Sequence, residues 1–547
     1  MRSNGLKDRI KQLLGRVPLT AEIMQMFRPV SGELPCGYRL DRVEEMIPAW
    51  IASVTEARQN ADPLRRRKVL IVASLRWWLE YCTAMGLLLV GLGHDVDIAY
   101  LPYRTWWEDF NSFDLRRHRF YLRRTFAKLS KVLGSHDITA SPKMGLSNVL
   151  AKSVEEQSRT DVQYTLQREN INLDDECEDR SLYHLRLQRN SLAACAALDL
   201  LAGDRYDVVI IPNGSILEFG IFYRVAQHLG VPSVTIEFGE QRERMWLAQN
   251  DEVMRLDTSA LWESKGGYPL GDVELEQLKT LYEARRGGKI WENFARQWQS
   301  GENKGAAEAR LQLGLDPEKP LALLCTNVVG DSLALGRQVF TAGMADWLAK
   351  TVRHFAQRPE FQLVVRVHPG ELLGAGHPSV DIIRSAVPEM PPHVIVIPPE
   401  SKINTYDLIE LAHLGLVYTT TVGMEMSMSG IPVVVSGRTH YRGKGFTFDP
   451  ETLPEYLANI DQLLRRPLGE KIPQDQIQLA WNYAYRFFFE YPFPFPWHLI
   501  TFWEDIEARA LRSIFSDSID HYASTIDALL GKPIFWGKEY DKGGVQS

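Results

Sequence analysis

Short, unbroken apolar runs recur along this chain, each closed by small or polar residues and separated from the next by helical spacing. Lys68-Val69-Leu70-Ile71-Val72-Ala73 is the first, and Asp95 to Leu101 follows it after a helical stretch closed by Gly91-Leu92-Gly93-His94. A strand without a polar face is covered on both sides, which is the condition of a parallel sheet flanked by helices. Strand, helix, glycine-rich turn and strand in about 35 residues make a βαβ unit. The rhythm returns at Tyr206 to Pro212 and Val231 to Glu237. It returns again at Leu321 to Thr326, Gln362 to Val367, Val394 to Ile397, Leu414 to Tyr418 and Ile431 to Val435. This predicts an α/β fold of two Rossmann-like lobes with added helical segments. Such lobes bind ligands in the cleft outside the carboxyl ends of their strands.

Five segments follow from the pattern. Residues 1–65 read as an N-terminal helical extension, in which Val43, Met46, Ile47, Trp50, Ile51 and Val54 share one helical face. Residues 66–250 form the first lobe, interrupted by a helical insertion at about 104–203. Residues 251–318 read as a helical connector, 319–470 as the second lobe and 471–547 as a C-terminal helical segment. The aromatic run from Tyr485 to Trp497 is expected to pack across the lobes.

Composition removes several function classes. Lys plus Arg number 62 against 69 Asp plus Glu, a net charge of −7 that gives no basic footprint for nucleic acid. Cys36, Cys82, Cys177, Cys195 and Cys325 include no CxxC pair, so neither a disulfide framework nor a zinc site is expected, and a reducing cytoplasm fits. The first residues lack the apolar core of a secretory signal, and the apolar stretch Tyr81 to Leu92 is too short to span a bilayer. The expected location is cytoplasmic. Basic runs such as Arg65-Arg66-Arg67-Lys68 leave open peripheral contact with the inner face of the cell membrane, or with an export complex.

Three segments of the second lobe carry residues suited to phosphate chemistry, each just after a predicted strand. In Arg366-Val367-His368-Pro369-Gly370, the proline holds His368 extended at a strand end, where imidazole can donate to a phosphate oxygen. In Tyr418-Thr419-Thr420-Thr421-Val422-Gly423-Met424-Glu425, hydroxyls precede a helix start, and Glu425 is placed to accept from ribose hydroxyls. In Ser436 to Thr447, Arg438, Arg442 and Lys444 stand among glycines, as a diphosphate or sugar carboxylate would require. Each segment also has a plain structural reading: a strand-end turn, an N-cap with its dipole partner, and a solvated basic loop. His440 and Tyr441 face the donor or pack as aromatics, and Asp407 reads as a first-turn acid of helix Thr405 to His413.

Together, RVHPGE and the stretch INTYDLIELAHLGLVYTTTVGMEMSMSGIPVVVSGRTHYRGKGFT resemble the capsule polysaccharide biosynthesis family. The resemblance is close over Leu321 to about Glu470, and looser in the first lobe through Asn213-Gly214 and Glu237-Phe238-Gly239-Glu240. It implies a GT-B transferase resembling those that move 3-deoxy-D-manno-octulosonic acid (Kdo) from its CMP-linked form. Residues 319–470 would then bind the nucleotide-sugar, and 66–250 the polysaccharide or glycolipid acceptor. His368, Thr420 and Thr421 would hold the phosphate and Glu425 the ribose. Arg366, Gly423, Arg438, Tyr441 and Lys444 would complete the donor site, with Asn213 and Gly214 on the acceptor side.

The family's catalytic acidic motif has no unambiguous match in the first lobe. The chemistry needs a base opposite the nucleotide, and Glu237 and Glu240, after a predicted strand, are the candidates; exposed loop carboxylates are the alternative. No carboxylate pair has metal-ligand spacing, so a metal-independent enzyme without a cofactor is expected, its nucleotide-sugar being substrate. A teichoic-acid-type polyol-phosphate transferase, a sugar-nucleotide epimerase and a non-catalytic export scaffold are the other readings of the same pattern.

Overall fold

The computed structural model describes residues 6–27, 37–140, 142–203, 205–287, 302–373 and 378–537; Cys36 lies outside them. Two sheets organise the chain. The first contains β1 (Lys68–Ala73), β2 (Asp95–Tyr100), β3 (Gly134–Asp137), β4 (Val208–Pro212), β5 (Ser233–Phe238) and β6 (Arg244–Gln249). The second contains β7 (Leu321–Cys325), β8 (Gln362–Arg366), β9 (Val394–Ile397), β10 (Leu414–Val417) and β11 (Val433–Val435). A two-residue strand, β12 (Phe493–Pro494), returns to the first sheet and pairs antiparallel with β6.

The parallel strands of the first sheet run in the order β3-β2-β1-β4-β5, and those of the second β9-β8-β7-β10-β11. Both are the 3-2-1-4-5 order of a Rossmann-like lobe. The alternating faces of β7 show why its sequence carries no polar position. Leu321, Leu323 and Cys325 enter one core, and Ala322 and Leu324 enter the core on the opposite face.

The structure departs from the sequence reading in three places. The insertion is not wholly helical, because Gly134–Asp137 forms edge strand β3 beside β2. Its residues Gly-Ser-His-Asp hold no apolar run, since an edge strand of four residues has little core to face. Arg244–Gln249, to which the sequence pattern assigned no element, is β6, joined to β5 by a hairpin with Glu237 opposite Trp246. Its alternation of buried Met245 and Leu247 with more open neighbours is the period-two signal of a half-covered strand. The connector is no free linker either: Leu261, Leu278, Leu281 and Ala309 are buried in the core of the second lobe.

Segments on either side of the two sheets pack against the lobes. Val43, Ile47, Trp50 and Val54 of helix Asp41–Arg58 are buried in the first core. The aromatic run divides between the lobes: Phe487, Phe488, Phe489 and Tyr491 belong to the second core, Phe493, Phe495 and Trp497 to the first. Among the described residues no helix is long and apolar enough to cross a membrane.

Candidate active site

A 3-2-1-4-5 sheet reverses strand order between its first and fourth strands, and the loops leaving that point open a crevice. Here these are the loops after β1 and β4 in one lobe and after β7 and β10 in the other. They face one another across a cleft of about 1640 Å³. Leu75 and Asn213 line it from the first pair of loops, and Thr326, Asn327 and Thr419 to Thr421 from the second.

The wall of the second lobe is cationic and rich in donors. Arg366 ends β8 and is 5% exposed; its Nη1 and Nη2 donate to the carbonyls of Pro398 and Ser401, at 2.9 and 3.1 Å, and its Nε has no partner. Arg337 and Arg438 lie on touching segments, where the Arg438 amide donates to the Arg337 carbonyl at 2.7 Å. None of the ion pairs among the described residues includes Arg337, Arg366 or Arg438, and all three line the cleft. Burial pushes the Arg337 and Arg366 guanidiniums down from their ordinary range. Arg337 and Arg366, held partly out of water with no ion pair among the described residues, gain from an arriving anion, while Arg438 is exposed.

His368 stands beside them with its tautomer set by the backbone. The Gly370 amide donates to Nδ1 at 2.9 Å, so Nδ1 is the acceptor and the neutral ring carries its proton on Nε2. Burial, with the Arg366 charge, pushes its pKa down to about 4. His368 is therefore a neutral donor at physiological pH. The Thr419 amide donates to Asn327 Oδ1 at 3.1 Å, and the Thr419 hydroxyl to the Leu333 carbonyl at 3.0 Å, which fixes the turn. Among the described residues no partner takes the Thr420 or Thr421 hydroxyl, and both residues line the cleft. The helix after them, Val422–Met428, has only seven residues, so the hydroxyls and arginines outweigh its dipole.

Opposite lies Glu237, at the end of β5. The Asn213 amide Nδ2 donates to its Oε2 at 2.9 Å and the Phe238 amide to its Oε1 at 3.1 Å. Asn213 adopts φ +57, a left-handed conformation that asparagine tolerates better than most residues. Leu75 and Leu217 also have positive φ, at 65 and 57°, and line the same cleft, so strained backbone gathers where β1 and β4 open into it. The Leu217 turn is held by buried Asp161, whose Oδ1 accepts from the Leu217 amide at 2.7 Å.

Glu240 and Glu425, expected on opposite lobes in separate roles, share one guanidinium. Arg285 places Nη1 2.9 Å from Glu240 Oε2 and Nη2 2.8 Å from Glu425 Oε1, and the Tyr406 hydroxyl donates to Glu425 Oε2 at 2.7 Å. Burial opposes the Arg285 charge, but Glu425, Tyr406 and Glu240 hold its pKa well above the ordinary range. Glu240 and Glu425 still line the cleft, as members of a buried bridge between the lobes.

Of the other predicted residues, Gly214, Gly423, Tyr441 and Lys444 do not line the cleft. Tyr441 is fully buried beneath it and donates to the Thr420 carbonyl at 2.7 Å, so it positions the threonine turn. Gly214 has φ +80, and a Cβ there would lie 2.5 Å from Thr235 Cγ2, a backbone reason for glycine. Lys444 lies near Ser259 Oγ, and Arg442 is turned to the Val435 and Pro450 carbonyls, so of the three cations of that loop Arg438 alone lines the cleft. His440 lines the cleft, stacked 4.0 Å from Phe487 between ring centroids. Asp407 is the expected first-turn acid of helix Thr405–Leu411. Arg337 and Arg285 were absent from the sequence reading. Arg337 follows a strand end next to Gly336, the same signal as the basic loop; Arg285 lies on an ordinary polar helix and carries no local signal. Among the described residues no group of three or more His, Cys, Asp or Glu is placed to hold a metal ion.

Two facing Rossmann-like lobes with a cleft at their switch points define the GT-B arrangement, a glycosyltransferase-like fold. No family model and no curated protein matches the sequence. Among solved structures, a β-Kdo 2,4-transferase, KpsC of Thermosulfurimonas dismutans, is 14% identical over 51% of this chain and 80% of its own, with a TM-score of 0.30. Sucrose-phosphate synthase of Thermosynechococcus elongatus is 13% identical over 83% and 100%, with a TM-score of 0.28. UDP-GlcNAc 2-epimerase of Neisseria meningitidis, bound to UDP-GlcNAc, is 12% identical over 78% and 99%, with a TM-score of 0.24. At these scores no residue role passes from them to this chain.

Proposed function

We propose that this protein is a metal-independent glycosyltransferase that moves a sugar from a nucleotide-sugar, of the CMP-Kdo kind, to a hydroxyl of a cell-surface polysaccharide or glycolipid. The observation that carries the reading is that Arg337, Arg366 and Arg438, which enter no ion pair among the described residues, line one cleft with the neutral donor His368. A phosphate-linked leaving group supplies the anion they lack. The acceptor hydroxyl gives its proton to Glu237, which Asn213 holds in place, while its oxygen bonds to the anomeric carbon. The bond from that carbon to the phosphate oxygen breaks with its electron pair, and the resulting charge is taken up by the arginines, the His368 Nε2–H and the Thr420 and Thr421 hydroxyls. Glu240 is committed to Arg285 and takes no part in proton transfer. The guanidiniums do the electrostatic work a divalent ion would do, so turnover is expected to persist in chelator.

The test is the thermal shift of the protein with CMP, CDP, UDP, GDP and their sugar conjugates, with His368→Ala alongside. Ligand at about 100-fold excess over Kd stabilises the folded state by roughly 2.7 kcal/mol. A shift with one base, diminished in His368→Ala, supports the reading; no shift with any nucleotide sinks it. Conversion of a sugar nucleotide without acceptor would assign an epimerase instead.

A further inference from the structure

The cleft is larger than one ligand requires. Single small-molecule sites hold about 300–1000 Å³, and this one is about 1640 Å³. One part of the cleft, lined mostly by the inserted segment, has chemistry different from that of the arginine wall. Trp77, after β1, and Trp107, after β2, line it and are 44% and 46% exposed, the two exposed tryptophans among the described residues. Trp106 packs against Trp107: its Nε1 donates to Thr165 Oγ1 at 3.1 Å, its ring meets Trp107 edge-on at 4.5 Å, and Tyr164 lies 6.1 Å away.

The same cleft is lined by one side of helix Glu178–Leu201. Glu178, Ser181, His184 and Gln188 are exposed and line the cleft, at spacings that put them on one helical face. They offer a carboxylate, a hydroxyl, an imidazole and an amide, a mixed set of donors and acceptors with no arginine or lysine. The helix is held in this orientation from behind. Arg186, wholly buried, pairs with Asp161 and Glu218 at 3.1 Å each, and Asn190 Nδ2 donates to Asp161 Oδ2 at 2.7 Å. Asp161 is the same carboxylate that fixes the Leu217 turn, so the insertion is locked to the mouth of β4.

We propose that this part of the cleft is a saccharide-binding subsite: Trp77 and Trp107 stack on sugar rings of the acceptor while the helix face bonds their hydroxyls. A pyranose presents polarised C–H bonds on one face, which suit the negative face of an indole, and hydroxyls around its rim. Among these lining residues no arginine or lysine is present to meet an anion, and an alkyl chain would leave the polar helix face unmatched. This deepens the function proposed above and rests on it.

The experiment presents wild type, Trp77→Ala, Trp107→Ala and Trp107→Phe to an array of immobilised bacterial oligosaccharides and to vesicles of phosphatidylglycerol. Thermal shift with the nucleotides is run on each protein. The expected result is an oligosaccharide series bound by wild type, at least tenfold weaker with either alanine variant and largely restored in Trp107→Phe, with unchanged nucleotide shift and melting temperature. A tenfold loss is about 1.4 kcal/mol. No oligosaccharide bound, equal binding by the alanine variants, or Trp-dependent binding to vesicles alone overturns the subsite. Loss of every nucleotide shift in wild type overturns the parent reading instead, so the two failures are separate.

Discussion

Arg337 shows most directly what the site demands of single residues. Its guanidinium lines the cleft half-buried, lowered in pKa by burial and outside every ion pair among the described residues. A cation in that position weakens the empty protein and strengthens the complex. Arg337→Met is therefore expected to raise the melting temperature without nucleotide, and to weaken nucleotide binding by about 10- to 100-fold, the range of a lost charge-assisted hydrogen bond. Scanning calorimetry beside a nucleotide titration reads both, and a variant destabilised in both states would count against the anion site. His368 was legible in the sequence because proline and a strand end mark its place. That it acts as a neutral Nε2–H donor was not, because this depends on the Gly370 amide and on burial, neither of which has a local signature.

The elements around the site fit through backbone contacts as much as through side chains. Gly330, in the loop after β7, has φ +76, and a Cβ there would lie 2.5 Å from the Gln163 carbonyl oxygen of helix Asn148–Leu166. The loop that begins with Thr326 and Asn327 thus presses directly on the inserted segment of the other lobe. Gly330→Ala forces both a left-handed alanine and a steric overlap with backbone, and is expected to destabilise by more than about 1 kcal/mol and to lower nucleotide affinity as the loop shifts. Urea unfolding with a nucleotide titration checks it; unchanged values in both would show that the lobes do not bear on each other there. Strands of this kind were legible wherever they lie inside the sheet, since burial on both faces writes an unbroken apolar run. β3 and β6 were not, the first because a polar edge strand writes almost nothing. The second writes a short alternation that the charged residues around it conceal.

For the molecule as a whole, buried imidazoles set the response to acid. Burial pushes His118 and His440 down to about 3, the latter with help from the Lys444 charge, and His368 down to about 4. A free imidazole titrates near 6.5, so between about 6.5 and 4 the unfolded chain binds more protons than the native one. Stability is full above that window and falls through it on acidification, by up to about 1.4 kcal/mol per pH unit for each imidazole. Melting temperatures between pH 7.5 and 4.5 should fall accordingly, and the His118→Phe variant, which removes one of the three, should show a shallower slope. A profile flat to pH 4.5 would mean that these rings are already protonated in the native state.

The sequence by itself determined the two-lobed α/β architecture, the carboxyl-edge loops that carry His368 and the threonines, and the aromatic tail that packs across the lobes. These are properties of local periodicity and turn chemistry, which are written in neighbouring residues. Tertiary structure alone decided which charges are paired. It joined Glu240 to Glu425 through Arg285 and left Arg337, Arg366 and Arg438 outside every ion pair among the described residues. It also sent Tyr441 beneath the cleft and brought Trp77 and Trp107 to its lining. Pairing and burial depend on distances between segments far apart in the sequence, and in a cleft between two lobes those distances exist only once both sheets have folded.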